Sequence, residues 1–375
     1  MQFTFTIFLL LTNTAVGYLI PNPSGKYNVT LSTGPLIDYT RNDPYAGTPT
    51  RALMVSVFQP ATCESVPVPY MPDKTADYQG PFLQQIFNIS ADLSPFFLEA
   101  RLPVCSDQSD SCSPLDDFPI LLFSPGYSIP RLYYNVLASA ISSEGFVVIT
   151  IDHPGDADIV TYPDGHAVYN NDTSQTIPTM QEHLPIRISD VSFVIDQLSN
   201  ATAMAELLPK RGAQPFPIDR VAMLGHSLGG VAAVIAAGQD PRLRGVINLD
   251  GTFIESPAAS GVNQPVLLMS HGMADESWPA TWPLLRGPKL WVDIANTTHQ
   301  TFSDVPTLFQ AAGQDAAALA DVLGTIAPDE MMRILVAYTT AWMNGVFAGK
   351  QEGPLLEGQE PDRFPEASPV MKDNF

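Results

Sequence analysis

The ten residues Val221 to Gly230, VAMLGHSLGG, constrain this chain more than any other stretch. An apolar, β-leaning run, Val221 to Leu224, leads into Gly225-His226-Ser227-Leu228-Gly229, and the alanine-rich run Val231 to Ala237 follows at once. Strand, sharp turn and helix in that order make G-x-S-x-G a nucleophile elbow. The serine takes a strained turn, and only glycine lets strand and helix approach so closely. The turn raises the Ser227 hydroxyl above the end of the sheet and aims the Leu228 backbone N–H at the place where an oxyanion would form. A chance match is the competing account. The strand before, the helix after, and an acid and a histidine downstream in the right order weigh against it.

The remainder of the chain suits a globular fold. Its 375 residues, 45% hydrophobic and 15% charged, have an ordinary globular balance and predict one large domain. A formal charge of -21 argues against nucleic acid and against electrostatic docking on anionic membranes. No internal repeat and no metal-type Cys/His spacing is present, so neither metal nor cofactor is expected.

Residues 1 to 17 read as a secretory signal peptide, with an apolar core from Phe3 to Leu11 and small residues for cleavage at Ala15-Val16-Gly17. The expected organisation is therefore a leader, 1–17, and a single domain, 18–375. The apolar run is shorter than the roughly 20 residues a membrane span needs. An oxidising, extracellular destination fits the sequons at Asn28, Asn88, Asn171, Asn200 and Asn296. It also fits Cys63, Cys105 and Cys112, which allow one disulfide of undetermined pairing.

Arg51 to Phe58 reads as a first strand, and the proline-rich stretch Pro67 to Pro81 as a surface excursion. Gln84 to Arg101 mixes apolar and polar residues without a clear assignment. Strand Pro119 to Phe123, helix Arg131 to Ser143 and strand Phe146 to Ile151 form the unit of a parallel sheet. The glycine turn Ser124-Pro125-Gly126-Tyr127 after the first of these strands nominates the Tyr127 N–H as second oxyanion donor. The polar loop from Asp152 through Gly165 is expected to overhang the site, since ligands bind beyond the carboxyl ends of parallel strands, and His153 within it reads as a loop-fixing residue. Arg187 and Asp190, three apart on a helix from Leu184 to Leu198, read as a surface pair. Further strands are expected at 245–249, 265–270 and 289–294, and helices at 306–323 and 328–347. In the last helix Met331, Leu335, Tyr338 and Trp342 repeat at helical spacing and read as core.

An unassisted serine is a poor nucleophile, so Ser227 requires a base, and the base an acid to hold its tautomer. His153, His166 and His183 precede the serine, His226 adjoins it and is expected to point elsewhere, and His271 closes a strand. His299, in the loop after strand 289–294, is the base by the order Ser, Asp, His. Asp250 and Asp275 each end a strand, and spacing does not separate them.

The runs LLFSPGYS, ITIDHPGDADIVTYPDG, GHSLGGVAAVIAAGQDPRLRGVINLDGT and THQTFSD resemble the platelet-activating factor acetylhydrolase family, of the plasma and isoform II type, within the α/β-hydrolases. The similarity extends from about Arg51 to the terminal LLEGQEPDRFPE. It implies an α/β-hydrolase fold, a mostly parallel central sheet with helices on both faces. It implies Ser227 as nucleophile, Asp250 as acid, His299 as base, and Tyr127 and Leu228 as oxyanion donors. Pro125 departs from the pattern, which often has histidine before the glycine. The implied chemistry is metal-free hydrolysis of a short acyl ester at the second position of a phospholipid, through an acyl-serine. The alternatives are a broader carboxylesterase or polyester hydrolase, and an inactive binding protein on a hydrolase scaffold. The presence of every triad member argues against the last. The polar composition of the 152–172 loop makes it a poor lid for long acyl chains, so short esters are expected.

Overall fold

The computed structural model describes residues 17–45, 50–87, 93–105, 113–114, 117–170, 172, 174, 176–272 and 275–375. The nine strands that position the site are β1 (Asn28–Asp38), β2 (Arg51–Thr62), β3 (Ile120–Ser124), β4 (Val147–Asp152), β5 (Val221–His226), β6 (Leu243–Leu249), β7 (Val266–Ser270), β8 (Lys289–Ile294) and β9 (Ala367–Asp373). They run side by side in the order β1-β2-β4-β3-β5-β6-β7-β8-β9. The pairs from β4 to β8 are parallel, while β1·β2, β2·β4 and β8·β9 are antiparallel. The parallel centre brings the carboxyl ends of β3, β5, β6, β7 and β8 to one edge, where loops can converge.

Each central strand is apolar on both sides because both faces are covered. In β3, Ile120 and Leu122 pack with the residues of helix α3 (Ile177–Leu198) and helix α4 (Leu228–Gln239). Leu121 and Phe123 face the other way, toward α2 (Asn135–Ser143) and α6 (Pro328–Ala348). β5 repeats the pattern, with Val221 and Met223 on one side and Ala222 and Leu224 on the other. Full burial of a side chain such as Phe123 or Leu224 stabilises the fold by about 1.5–3 kcal/mol each. Small side chains let α4 pack closely against both the sheet and α3, with Val231 to Ala237 buried along their whole length. Met331, Leu335, Tyr338 and Trp342 of α6 are core, as their spacing predicts.

The amino-terminal third departs most from expectation. β1 is a full partner of β2, although its composition, with Gly34 and Pro35 inside, gives no clean alternation. The proline-rich stretch is ordered structure rather than an excursion. It forms an edge strand, Ser65–Pro69, paired with strand Ala100–Cys105, and then helix α1 (Asp73–Phe87) with Pro81 inside it. An internal proline costs a helix about 3 kcal/mol. Tertiary contacts of α1 offset that: Ala76 and Leu83 are buried, and the buried Gln79 amide donates to both Asp158 carboxylate oxygens at 3.0 and 2.8 Å. The stretch left unassigned holds a short helix, Ser94–Leu98, before strand Ala100–Cys105. The long helix expected at 306–323 is broken into α5 (Val305–Ala311), a 3-10 turn and a final helical turn.

Cys63 and Cys105 form a disulfide, joining the residue after β2 to the end of strand Ala100–Cys105. Cys112, Asn88, Asn171 and all but the last residue of the expected leader lie outside the described residues. Asn28, Asn200 and Asn296 are exposed. Among the described residues no helix is long and apolar enough to cross a membrane.

Candidate active site

Ser227 sits at φ 56°, ψ -125°, between the last residue of β5 and the first turn of α4. Such backbone strain costs about 1–3 kcal/mol and persists only where the surroundings over-determine it. Here they do. The Ser227 N–H donates to Leu249 O at 2.8 Å, and the Ser227 carbonyl accepts from Gly230 and Val231 in the first turn of α4. A Cβ on Gly225 would stand 2.3 Å from the Gly229 carbonyl carbon, and one on Gly229 would stand 2.0 Å from Ser124 O. Only glycine fits either place. Leu228 is the first helical residue, so its N–H is one of those with no intrahelical acceptor.

Asp250 follows β6 in the left-handed region, φ 55°, with its N–H bonded to Met269 O at 2.7 Å. The turn aims the carboxylate at the loop after β8. His299 Nδ1 lies 2.6 Å from Asp250 Oδ2. The Nδ1–H therefore donates to the carboxylate, which leaves Nε2 free as a proton acceptor. The His299 side chain is 41% exposed and that of Asp250 only 4%, so the imidazole is reachable while its carboxylate partner is not. Burial pushes the Asp250 carboxyl up, but hydrogen bonds from His271 and His299 outweigh it and bring it down to about 2. Asp275 instead accepts from Ser277 N–H at 2.8 Å. The structure thus brings Asp250, not Asp275, to His299.

Three supporting groups were not legible in the sequence. His226 is buried and its Nε2 lies 3.0 Å from the His299 carbonyl, while Nδ1 lies 2.8 Å from the Tyr134 hydroxyl, which accepts from Gly126 N–H at 3.2 Å. Burial and the neighbouring His299 push the His226 ring down to about 3, so it is neutral, donating from Nε2 and accepting at Nδ1. Rather than pointing away, His226 ties the Gly126 turn to the His299 loop beneath the serine.

Arg187 is the second. It is buried and donates to Asp156 through Nε at 2.6 Å and through Nη2, to Ser124 Oγ at 3.1 Å, to Pro125 O and to Gly126 O at 3.0 Å. The expected surface pair with Asp190 does not form. Asp190 is also buried and binds Arg51, 2.7 Å from both Nε and Nη2, and His153 Nδ1 at 2.9 Å. Arg187 and Asp190 reach inward to the turns that end β3 and β4, where a buried charge requires a partner. His153 bridges Asp190 to Ser124 Oγ, 2.9 Å from Nε2, and so fixes the loop as anticipated. The acids of that loop face inward too: Asp152, Asp156 and Asp158 are buried, and only the tip around Asp164 and His166 is exposed. A short hairpin, Ile159–Thr161 with Ala167–Tyr169, carries this tip.

The oxyanion candidates flank the serine. Leu228 adjoins it, and a Cβ on Gly126, the residue before Tyr127, would lie 3.5 Å from Ser227 Cβ. His271 is the third unanticipated group, 2.7 Å from Asp250 through Nδ1. A histidine ending the strand beside the acid-bearing strand is the signal that marked it, though not its role. Beside His299 opens a cavity of about 330 Å³, lined by Thr252, His271, Asp275, Glu276, Trp278 and Trp291 among others.

Comparison with known proteins agrees with this geometry. The alpha/beta hydrolase family model matches residues 121–369, and that of platelet-activating factor acetylhydrolase, isoform II, matches residues 15–195. A probable 1-alkyl-2-acetylglycerophosphocholine esterase of Arthroderma benhamiae is 30% identical over 93% of both chains. The platelet-activating factor acetylhydrolase of Gallus gallus is 23% identical over 85% of this chain and 81% of its own. A ferulic acid esterase structure from Streptomyces cinnamoneus superposes with a TM-score of 0.77 at 26% identity, covering 95% of this chain and all of the other. With a strained elbow serine and an Asp250-bonded histidine at the carboxyl edge of its sheet, the chain belongs to the platelet-activating factor acetylhydrolase, isoform II, family of α/β-hydrolases and is a serine ester hydrolase.

Proposed function

We propose that the protein is a secreted esterase that removes a short acyl group, of the phospholipid sn-2 acetyl kind, through an acyl-serine at Ser227. The observation that carries this is the 2.6 Å contact of His299 Nδ1 with the buried Asp250 carboxylate, on the loop facing the elbow. Ser227 Oγ attacks the ester carbonyl as its proton passes to His299 Nε2, and the resulting oxyanion accepts from the Leu228 and Tyr127 N–H groups. Collapse expels the alcohol, which takes the proton from His299. Water then attacks the acyl-serine, again giving up a proton to His299, and releases the acid and the free serine.

The short-acyl reading is supported by the likeness to acetylhydrolases of this family. The likeness to a ferulic acid esterase structure favours an aromatic acyl ester as the second reading. Measuring kcat/KM for acetyl, butyryl, palmitoyl and feruloyl esters of one alcohol separates the readings. Short esters are expected to lead. A palmitoyl preference refutes the assignment, and a feruloyl preference selects the second.

The leader-like residues 1–17, the Cys63–Cys105 disulfide and the exposed sequons at Asn28, Asn200 and Asn296 support secretion. Intact mass before and after deglycosylation tests it. Retained Met1 with an unshifted mass counts against it.

A further inference from the structure

Asp250 serves two imidazoles, not one. His271, the first residue after β7, donates its backbone N–H to Asp250 Oδ1 at 3.0 Å. Its ring nitrogen Nδ1 lies 2.7 Å from Oδ1 and 2.8 Å from Oδ2 of the same carboxylate. His299 takes Oδ2 at 2.6 Å. The carboxylate is thereby gripped from its Oδ1 side by a residue on the neighbouring strand, so that it cannot rotate away from His299 without breaking two bonds. A single hydrogen bond to His299 would leave that rotation free.

We propose that His271 is a positioning residue for the hydrolysis, holding the Asp250 carboxylate in the orientation that His299 requires and dividing that carboxylate's charge between two rings. The proposal rests on Asp250 and His299 acting as the acid and base of Ser227. His271 faces acidic groups from several elements: Asp250 after β6, Asp293 on β8, and Asp275 and Glu276 ahead of the helix Ser277–Thr281, with His299 across the same cavity. Its hydrogen bond to Asp250 raises its proton affinity against the opposing effect of burial, and the Asp293 and Asp275 charges add to the rise. A protonated His271 competes for the negative charge that would otherwise stabilise the imidazolium at His299. The consequence is activity that persists to lower pH than Asp250 alone would permit.

The test compares the full-length wild type with His271→Asn and His271→Ala, measuring kcat and KM on an acetyl ester from pH 4.5 to 9.5. Asparagine can donate to Asp250 from nearly the same place as Nδ1 but carries no charge. His271→Asn is expected to retain kcat within a few-fold at pH 8.5. Its acid limb should move to higher pH by about half a unit or more, as expected for removing a nearby positive charge. His271→Ala is expected to lose about ten- to a hundredfold in kcat at every pH, with KM little changed, because the carboxylate keeps only the backbone N–H on its Oδ1 side and loses the ring that fixes its orientation. Melting temperature and far-UV circular dichroism show that each variant is folded. Wild-type kcat and acid limb in His271→Ala overturn the proposal, as does equal loss in both variants with an unmoved acid limb. Asp250→Asn is run alongside. If it keeps full activity, the underlying acid–base reading has failed, and if it is inactive while His271→Ala is not, only the role of His271 has failed.

Discussion

Replacing Arg187 by methionine separates what a buried ion pair does for stability from what it does for catalysis. The side chain stands between Asp156 on one side and Ser124 Oγ, Pro125 O and Gly126 O on the other. Methionine fills most of the volume but leaves a buried carboxylate without its main partner, which costs about 3–5 kcal/mol. An unfolding entropy of about 2.1 cal/mol/K per residue gives roughly 0.8 kcal/mol/K for 375 residues, so Tm falls by about 4–6 °C. The double variant Arg187→Met with Asp156→Leu removes the stranded charge and should recover most of that loss, because apolar replacement of both partners is often neutral or better. Activity should not recover. The Pro125 and Gly126 carbonyls remain unheld in both variants, and a displacement of about 1 Å in the turn that carries the Tyr127 N–H costs about a hundredfold in kcat. Thermal melting followed by circular dichroism and kcat on an acetyl ester read the two effects independently. A double variant with wild-type kcat refutes the argument, since Arg187 would then merely neutralise Asp156. Unchanged kcat in a destabilised single variant refutes it equally.

Three further outcomes are expected. Ser227→Ala should lose about a millionfold in turnover, and a fluorophosphonate should label the wild type at Ser227; labelling at another serine removes the nucleophile assignment. Asp250→Asn should lose about ten-thousandfold in kcat through loss of the His299 tautomer, while Asp275→Asn, whose carboxylate caps Ser277 N–H, should stay within a few-fold; the reverse result moves the acid to the next strand. Asp158, whose carboxyl is pushed up to about 8 by burial against the pull of the Gln79 amide, binds its proton more tightly folded than unfolded. Its contribution to stability is therefore complete below about pH 4 and lost as pH rises through about 8. Asp158→Asn should gain in Tm relative to the wild type between pH 5 and pH 9, and a constant difference across that range contradicts the sign.

Local sequence was enough for the parts of this protein whose physics is local. Val221 to Ala237 specify strand, turn and helix by composition and glycine placement, so Ser227 and Leu228 were legible without any partner. The runs at β3, β4, β7 and β8 are apolar on both faces because the sheet is covered twice, and such runs are visible as they stand. The order of serine, acid and histidine along the chain singled out His299 on the same footing. Tertiary structure decided what depends on contact between distant segments. Asp250 and Asp275 are equivalent as strand-end acids, and only the left-handed turn at Asp250 brings one of them to His299. Arg187 and Asp190 look like a helix-surface pair three residues apart, yet both are buried beside the turns that end β3 and β4, where each finds a different partner far away in sequence. The roles of His226 and His271 carried no interpretable pattern, since their bonds to the His299 carbonyl and to Asp250 span 73 and 21 residues. β1 and α1 were hidden by internal proline and glycine, and exist because neighbouring strands and the Asp158 carboxyl compensate for what local propensity lacks. Propensity and periodicity report on a few residues at a time, whereas partners for buried charge are chosen by the fold.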